Sequence, residues 1–91
     1  MILTERFKRE LDGCIIHDNY IQNSSIDGTP IEYLLFQVGK HYYCLSYSTG
    51  YVINEIDSPN RLAYSLTDTI VLSRKDLSEY IKQIKIRNIE N

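Results

Sequence analysis

Ile31-Glu32-Tyr33-Leu34-Leu35-Phe36-Gln37-Val38, then Gly39-Lys40, then His41-Tyr42-Tyr43-Cys44-Leu45-Ser46-Tyr47-Ser48 is the stretch that sets the architecture. The first run is almost continuously apolar, which suits a central strand covered on both faces. Gly39-Lys40 is a two-residue link of the Gly-X kind, and such links favour a type II′ hairpin. The second run alternates, with Tyr43, Leu45 and Tyr47 on one face and Tyr42, Cys44, Ser46 and Ser48 on the other. Links this short demand antiparallel pairing, because a parallel pair needs a long crossover.

Outward from this hairpin the period stays that of a strand. Residues 14–22, Cys14-Ile15-Ile16-His17-Asp18-Asn19-Tyr20-Ile21-Gln22, are β-branched and aromatic. They are parted from Ile31 by a turn-forming cluster that contains Asp27-Gly28. After the turn at Ser48-Thr49-Gly50 the chain returns through Tyr51–Ile56. It breaks at Asp57-Ser58-Pro59-Asn60, and Leu62–Leu66 and Thr69–Leu72 read as further strands.

The ends carry a helical period. Leu3, Phe7 and Leu11 recur every four residues, Thr4 is the expected N-cap and Gly13 the expected stop, which predicts a helix over 4–12. Leu77, Tyr80, Ile81 and Ile84 follow the i, i+3, i+4, i+7 pattern of a packed helix, with Ser73 as its N-cap. The predicted fold is α+β: one domain over residues 1–91, an antiparallel β-meander of four to six strands flanked by an N-terminal and a C-terminal helix. Both helices are expected on one face of the sheet, leaving the other to solvent or a partner.

With 91 residues, 43% hydrophobic and 24% charged, the composition is that of a globular chain rather than a disordered one. No stretch approaches the about 18 apolar residues of a membrane span, and no signal peptide is expected, because Met1-Ile2-Leu3-Thr4-Glu5-Arg6 meets charge too early for one. Two cysteines suit a reducing compartment, so the expected location is cytoplasmic. Abundant Ile and Tyr, no Trp and a single Ala63 fit the codon usage of an AT-rich bacterial or phage gene.

The net charge of −2 is unevenly spread. Residues 13–73 hold six carboxylates against two cations, a net of −4, whereas residues 74–91 hold five cations against three carboxylates, a net of +2. Lys82, Lys85 and Arg87 lie where positive charge suits the end of a helix dipole. This leaves a basic C-terminal helix binding nucleic acid as a second alternative only, since phosphate recognition usually needs a broader basic stripe.

Cys14, His17, His41 and Cys44 comprise every Cys and His in the chain. As a set they would suffice for tetrahedral zinc, making a zinc-stabilised domain the first alternative. Strand geometry opposes it: residues three apart point to opposite faces, and no bulge is signalled. Cys44 with His17 and Asp18 would be the one nucleophile, base and orienter set, without a local signature. No catalytic residue, no metal and no cofactor are therefore expected, and the chain is read as a non-enzyme.

The tyrosines exceed what a core of this size needs. Most suit cross-strand packing, with Tyr42 and Tyr51 reserved for an interface alongside the carboxylates Glu55 and Asp57. An acidic, tyrosine-bearing sheet suits a basic protein partner. The expected function is a small protein-binding module, of the stoichiometric inhibitor or immunity (antitoxin-like) type, directed at a basic toxin or nuclease. A homo-oligomer through an uncovered sheet face or an unpaired edge stays open.

Overall fold

The computed structural model describes residues 1–90, with side chains through Asn88. It contains α1 (Ile2–Arg6), β1 (Ile15–Asn23), β2 (Pro30–Val38), β3 (His41–Tyr47), β4 (Tyr51–Ile56), β5 (Ile70–Leu72) and α2 (Arg74–Glu90). The strands form one antiparallel sheet in the order β1-β2-β3-β4-β5, a meander in which every strand pairs with its neighbours in sequence. The expected α+β architecture is the one observed.

Gly39 has φ +60°, and no described residue other than glycine has positive φ, so Lys40 does not. That combination is the type II′ turn, whose backbone matches the twist of β2 and β3. It sets the register Leu35↔Cys44 and Phe36↔Tyr43, and with it the two faces of the sheet.

On the helix face Leu34, Phe36, Val38, Tyr43, Leu45, Tyr51 and Ile53 meet Leu3, Phe7 and Leu11 from the N-terminal segment. Leu77, Ile81 and Ile84 of α2 complete that core, all three fully buried. Burying a side chain of this size contributes about 1.5–3 kcal/mol, so this layer dominates the stability. α2 begins as its sequence predicts: Ser73 Oγ accepts the Asp76 N–H at 3.1 Å.

The N-terminal segment departs from expectation. α1 covers only Ile2–Arg6, and residues 7–13 continue as turns that end on Gly13 at φ +84°. Thr4 is not the N-cap. The buried carboxylate of Glu32, 6% exposed on β2, accepts the N–H groups of Ile2 and Leu3 at 3.0 Å each and starts the helix two residues earlier. Lys85 also differs. Its ammonium donates to the carbonyls of Glu10 and Asp12 at 3.0 and 2.6 Å, clasping α2 to the N-terminal segment rather than capping its own helix.

Residues 57–69 are the larger departure. Leu62–Leu66 form no strand; only Ser65 bridges to Ile56. The segment instead crosses the second face of the sheet, where Ala63 packs on a small cluster of Tyr20, Leu35 and Ile56. That face is therefore partly roofed by the chain itself. No helix among the described residues is long and apolar enough to cross a membrane.

Candidate functional site

The excursion over residues 57–69 is held by its own polar groups. Asp57 N–H donates to the Tyr64 carbonyl, and Asp57 Oδ1 accepts the Tyr64 N–H, both at 3.1 Å. Asn60 Oδ1 accepts the Leu62 N–H at 2.9 Å, and the Asn60 carbonyl accepts the Ala63 N–H at 3.1 Å. Further on, Leu66 N–H donates to the Glu55 carbonyl at 2.7 Å, while Glu55 N–H donates to Thr67 Oγ1 at 3.0 Å. Short polar side chains thus satisfy a backbone that has left the ladder, which is what Asp, Asn and Thr do well in turns.

Arg61 anchors the excursion to β1. Its guanidinium donates to Asp18 at 2.8 and 3.4 Å and lies 3.9 Å from the centre of the Tyr20 ring, which stacks in turn on Tyr33. Between these anchors the chain turns its apolar side chains outward. Leu62, Tyr64 and Leu66 are 88%, 79% and 60% exposed.

Arg61 holds the Asp18 carboxyl below the ordinary carboxylate range, chiefly through their side-chain hydrogen bond. A carboxyl depressed in the folded state contributes its stability above the unfolded value, about 3.9 for Asp, and loses it as pH falls through the lower folded value. The anchor should therefore be unchanged from neutral pH down to about 4 and release below that. The Arg61 Nε–H resonance, followed by NMR from neutral to acid pH, should report the release. In Asp18→Asn it should show no such acid step.

The four expected interface residues do not converge. Tyr42 lies half-buried on the roofed face, edge-on to His17 with ring centres 5.8 Å apart. Asp57 is exposed but engaged in the excursion's own turn. Glu55 faces the other way, its Oε2 3.2 Å from His41 Nδ1. Tyr51 is a correction: it is buried, not available to a partner. Phe7 meets it edge-on at 5.3 Å, Tyr47 stacks on it at 4.7 Å, and its hydroxyl accepts from Arg6. As the first residue of β4 it points to the helix face, where the N-terminal segment covers it.

Most other tyrosines pack as cross-strand pairs: Tyr20 on Tyr33, Phe36 on Tyr43 and Tyr47 on Tyr51 are all direct partners in the register. The metal reading loses its geometry. Cys14 packs against the helix-face core and Cys44 against the other cluster, both as free thiols. A bulge does occur between Ile16 and Asp18, contrary to expectation, and His17 Nε2 lies 2.7 Å from Gln37 Oε1. Among the described residues no three or more His, Cys, Asp or Glu side chains gather as a metal site. Burial pushes the Cys44 thiol up to about 11, which keeps it neutral at physiological pH.

A concavity lies between the N-terminal segment and α2. Arg6, Lys8, Arg9, Arg74, Lys75 and Lys82 line it, but Glu5, Glu10, Asp76 and Glu79 do too, so its charge is mixed rather than uniformly basic. The exposed trio Leu62, Tyr64 and Leu66 was missed by the sequence reading because its alternation imitates a half-buried strand. The signal against that reading was the polar bracketing by Asp57-Ser58-Pro59-Asn60 and Thr67-Asp68. Compared with known proteins, the chain matches no family model, no curated protein and no solved structure.

Proposed function

We propose that this chain is a small cytoplasmic protein-binding module, of the stoichiometric inhibitor or immunity type, that docks a basic protein through residues 57–69. The observation that carries the reading is the exposure of Leu62, Tyr64 and Leu66 on a backbone fixed by hydrogen bonds. Exposed apolar side chains carried on an already ordered backbone spare the cost of ordering that backbone on binding. Asp57 and Asp68 within the excursion, with Tyr42 at its border, retain the acidic and aromatic character that suits a basic partner.

The test uses the wild-type chain and a Leu62→Ser/Tyr64→Ala variant as baits in lysate of the native host at physiological salt. A partner should be retained by the wild type. Its affinity for the variant should fall by about 30-fold or more, as for loss of about 2 kcal/mol or greater of anchor energy. An inhibitor should also silence the captured partner's activity at one-to-one stoichiometry. No retained partner, or equal retention by the variant, would sink the proposal.

A further inference from the structure

The two edges of the sheet are unequal. β5 is three residues long, a length that protects an edge by leaving little to pair with. β1 runs for nine residues, Ile15–Asn23, without a single Lys or Pro, the residues by which edges are ordinarily guarded. Its one charged side chain, Asp18, is already neutralised by Arg61.

The hairpin fixes which of its backbone groups are unused. Ser24 N–H donates to the Thr29 carbonyl, closing the β1–β2 turn. Alternation along an antiparallel ladder then gives Gln22↔Ile31 and Tyr20↔Tyr33 as hydrogen-bonded pairs. The N–H and C=O groups of Asn19, Ile21 and Asn23 consequently point away from β2. Among the described residues no other backbone group takes them up.

Side chains at the same place point to the same kind of partner. The helices pack over the inner strands and leave Ile21 on the helix face 56% exposed. It lines a shallow hollow with Ile2, itself 48% exposed, Pro30 and Tyr47. A strand added beside β1 would cover this hollow, which Glu32 and Ser48 also line, as it satisfied the edge.

We infer that β1 pairs antiparallel with β1 of a second copy about a two-fold axis at Ile21, joining the two sheets into one. The arrangement is self-complementary: Ile21 opposes the partner's Ile21, and Asn19 opposes the partner's Asn23. All six outward N–H groups therefore find carbonyls across the axis. The two Ile21–Ile2 patches meet on the same side of the joined sheet, and no like charges are brought together within the three paired positions. A partner protein's strand would satisfy the edge equally, but the second copy brings its own exposed Ile21 and Ile2 to the same side of the joined sheet and pairs Asn19–Asn23 with no charge in that span on either strand.

Sedimentation velocity over rising concentration should show the 10.7 kDa chain moving to twice that mass. Amides of Asn19, Ile21 and Asn23 should gain hydrogen-exchange protection with the same concentration dependence. Ile21→Lys, which places a guarding charge on an exposed position, should stay at one chain mass with its circular dichroism unchanged. Should that variant fail to fold, the amide protection in the wild type decides alone. A wild type that stays monomeric, an Ile21→Lys variant that dimerises as before, or β1 amides protected only when a foreign partner is added would each overturn the inference.

Discussion

Glu32→Ala should destabilise the chain by about 3 kcal/mol, lowering the thermal midpoint by about 15 °C for a domain of this size. The carboxylate is buried and accepts three donors at 3.0 Å: the backbone N–H groups of Ile2 and Leu3 and the side-chain amide of Asn19. Hydrogen bonds to a charged acceptor are worth about 1.5–3 kcal/mol each, and truncation leaves the buried Leu3 N–H without its acceptor, while Asn19 keeps its bond to the Tyr33 carbonyl. The loss should be local before it is global. Leu3 and Phe7 leave the core once α1 has no start, so their amides should lose exchange protection ahead of α2. Glu32→Gln discriminates the mechanism. It keeps one carbonyl acceptor but turns an NH2 group toward donors, and it should cost roughly half as much as Ala. Urea unfolding of the three proteins provides the check. A Glu32→Ala chain as stable as the wild type would show that these three hydrogen bonds contribute nothing net.

Gly39→Ala should cost about 2 kcal/mol or more, from two separable causes. The backbone at φ +60° places an alanine in the left-handed region, a penalty of about 1–2 kcal/mol. A Cβ at that position would also stand 2.8 Å from the Asn88 side-chain oxygen and 3.1 Å from its Cγ. Asn88 does not yield freely, since its Nδ2 donates to the Ile84 carbonyl at 2.7 Å. Chemical denaturation of Gly39→Ala, Asn88→Ala and the double variant separates the causes. The steric part should vanish in the double variant, and the backbone part should remain. If the double variant were no more stable than additivity requires, the contact with α2 would carry no energy.

The hairpin made the sheet legible in the sequence. Gly39-Lys40 fixed a register, and period-2 alternation then placed Tyr43 and Leu45 on the covered face and Cys44 on the other. α2 was legible because Ser73 and the Leu77, Ile81, Ile84 stripe are local signals that tertiary contacts reinforce. What escaped the sequence was set by contacts distant along the chain. Glu32 looks like a solvent-facing interruption of an apolar strand until α1 is seen to need its carboxylate. Lys85 looks like a dipole complement until the carbonyls of Glu10 and Asp12 lie beneath it. Tyr51 offered no clue that Phe7 would close over it. Leu62, Tyr64 and Leu66 obey strand periodicity without being a strand, because Arg61 and Asp57 draw that backbone elsewhere. The proposed docking surface was therefore found only where local pattern and three-dimensional structure disagree.

The clasp of Lys85 on the carbonyls of Glu10 and Asp12 also has a bearing on the order of folding. The pairings from β1 to β4 each close a short loop and lose little chain entropy in doing so. The clasp joins positions 75 and 73 residues apart and gains nothing until almost the whole chain is in place. The sheet is thus the part of this protein that assembles from local information. The seam between the N-terminal segment and α2 is the last to shut and, on the way back, the first to open.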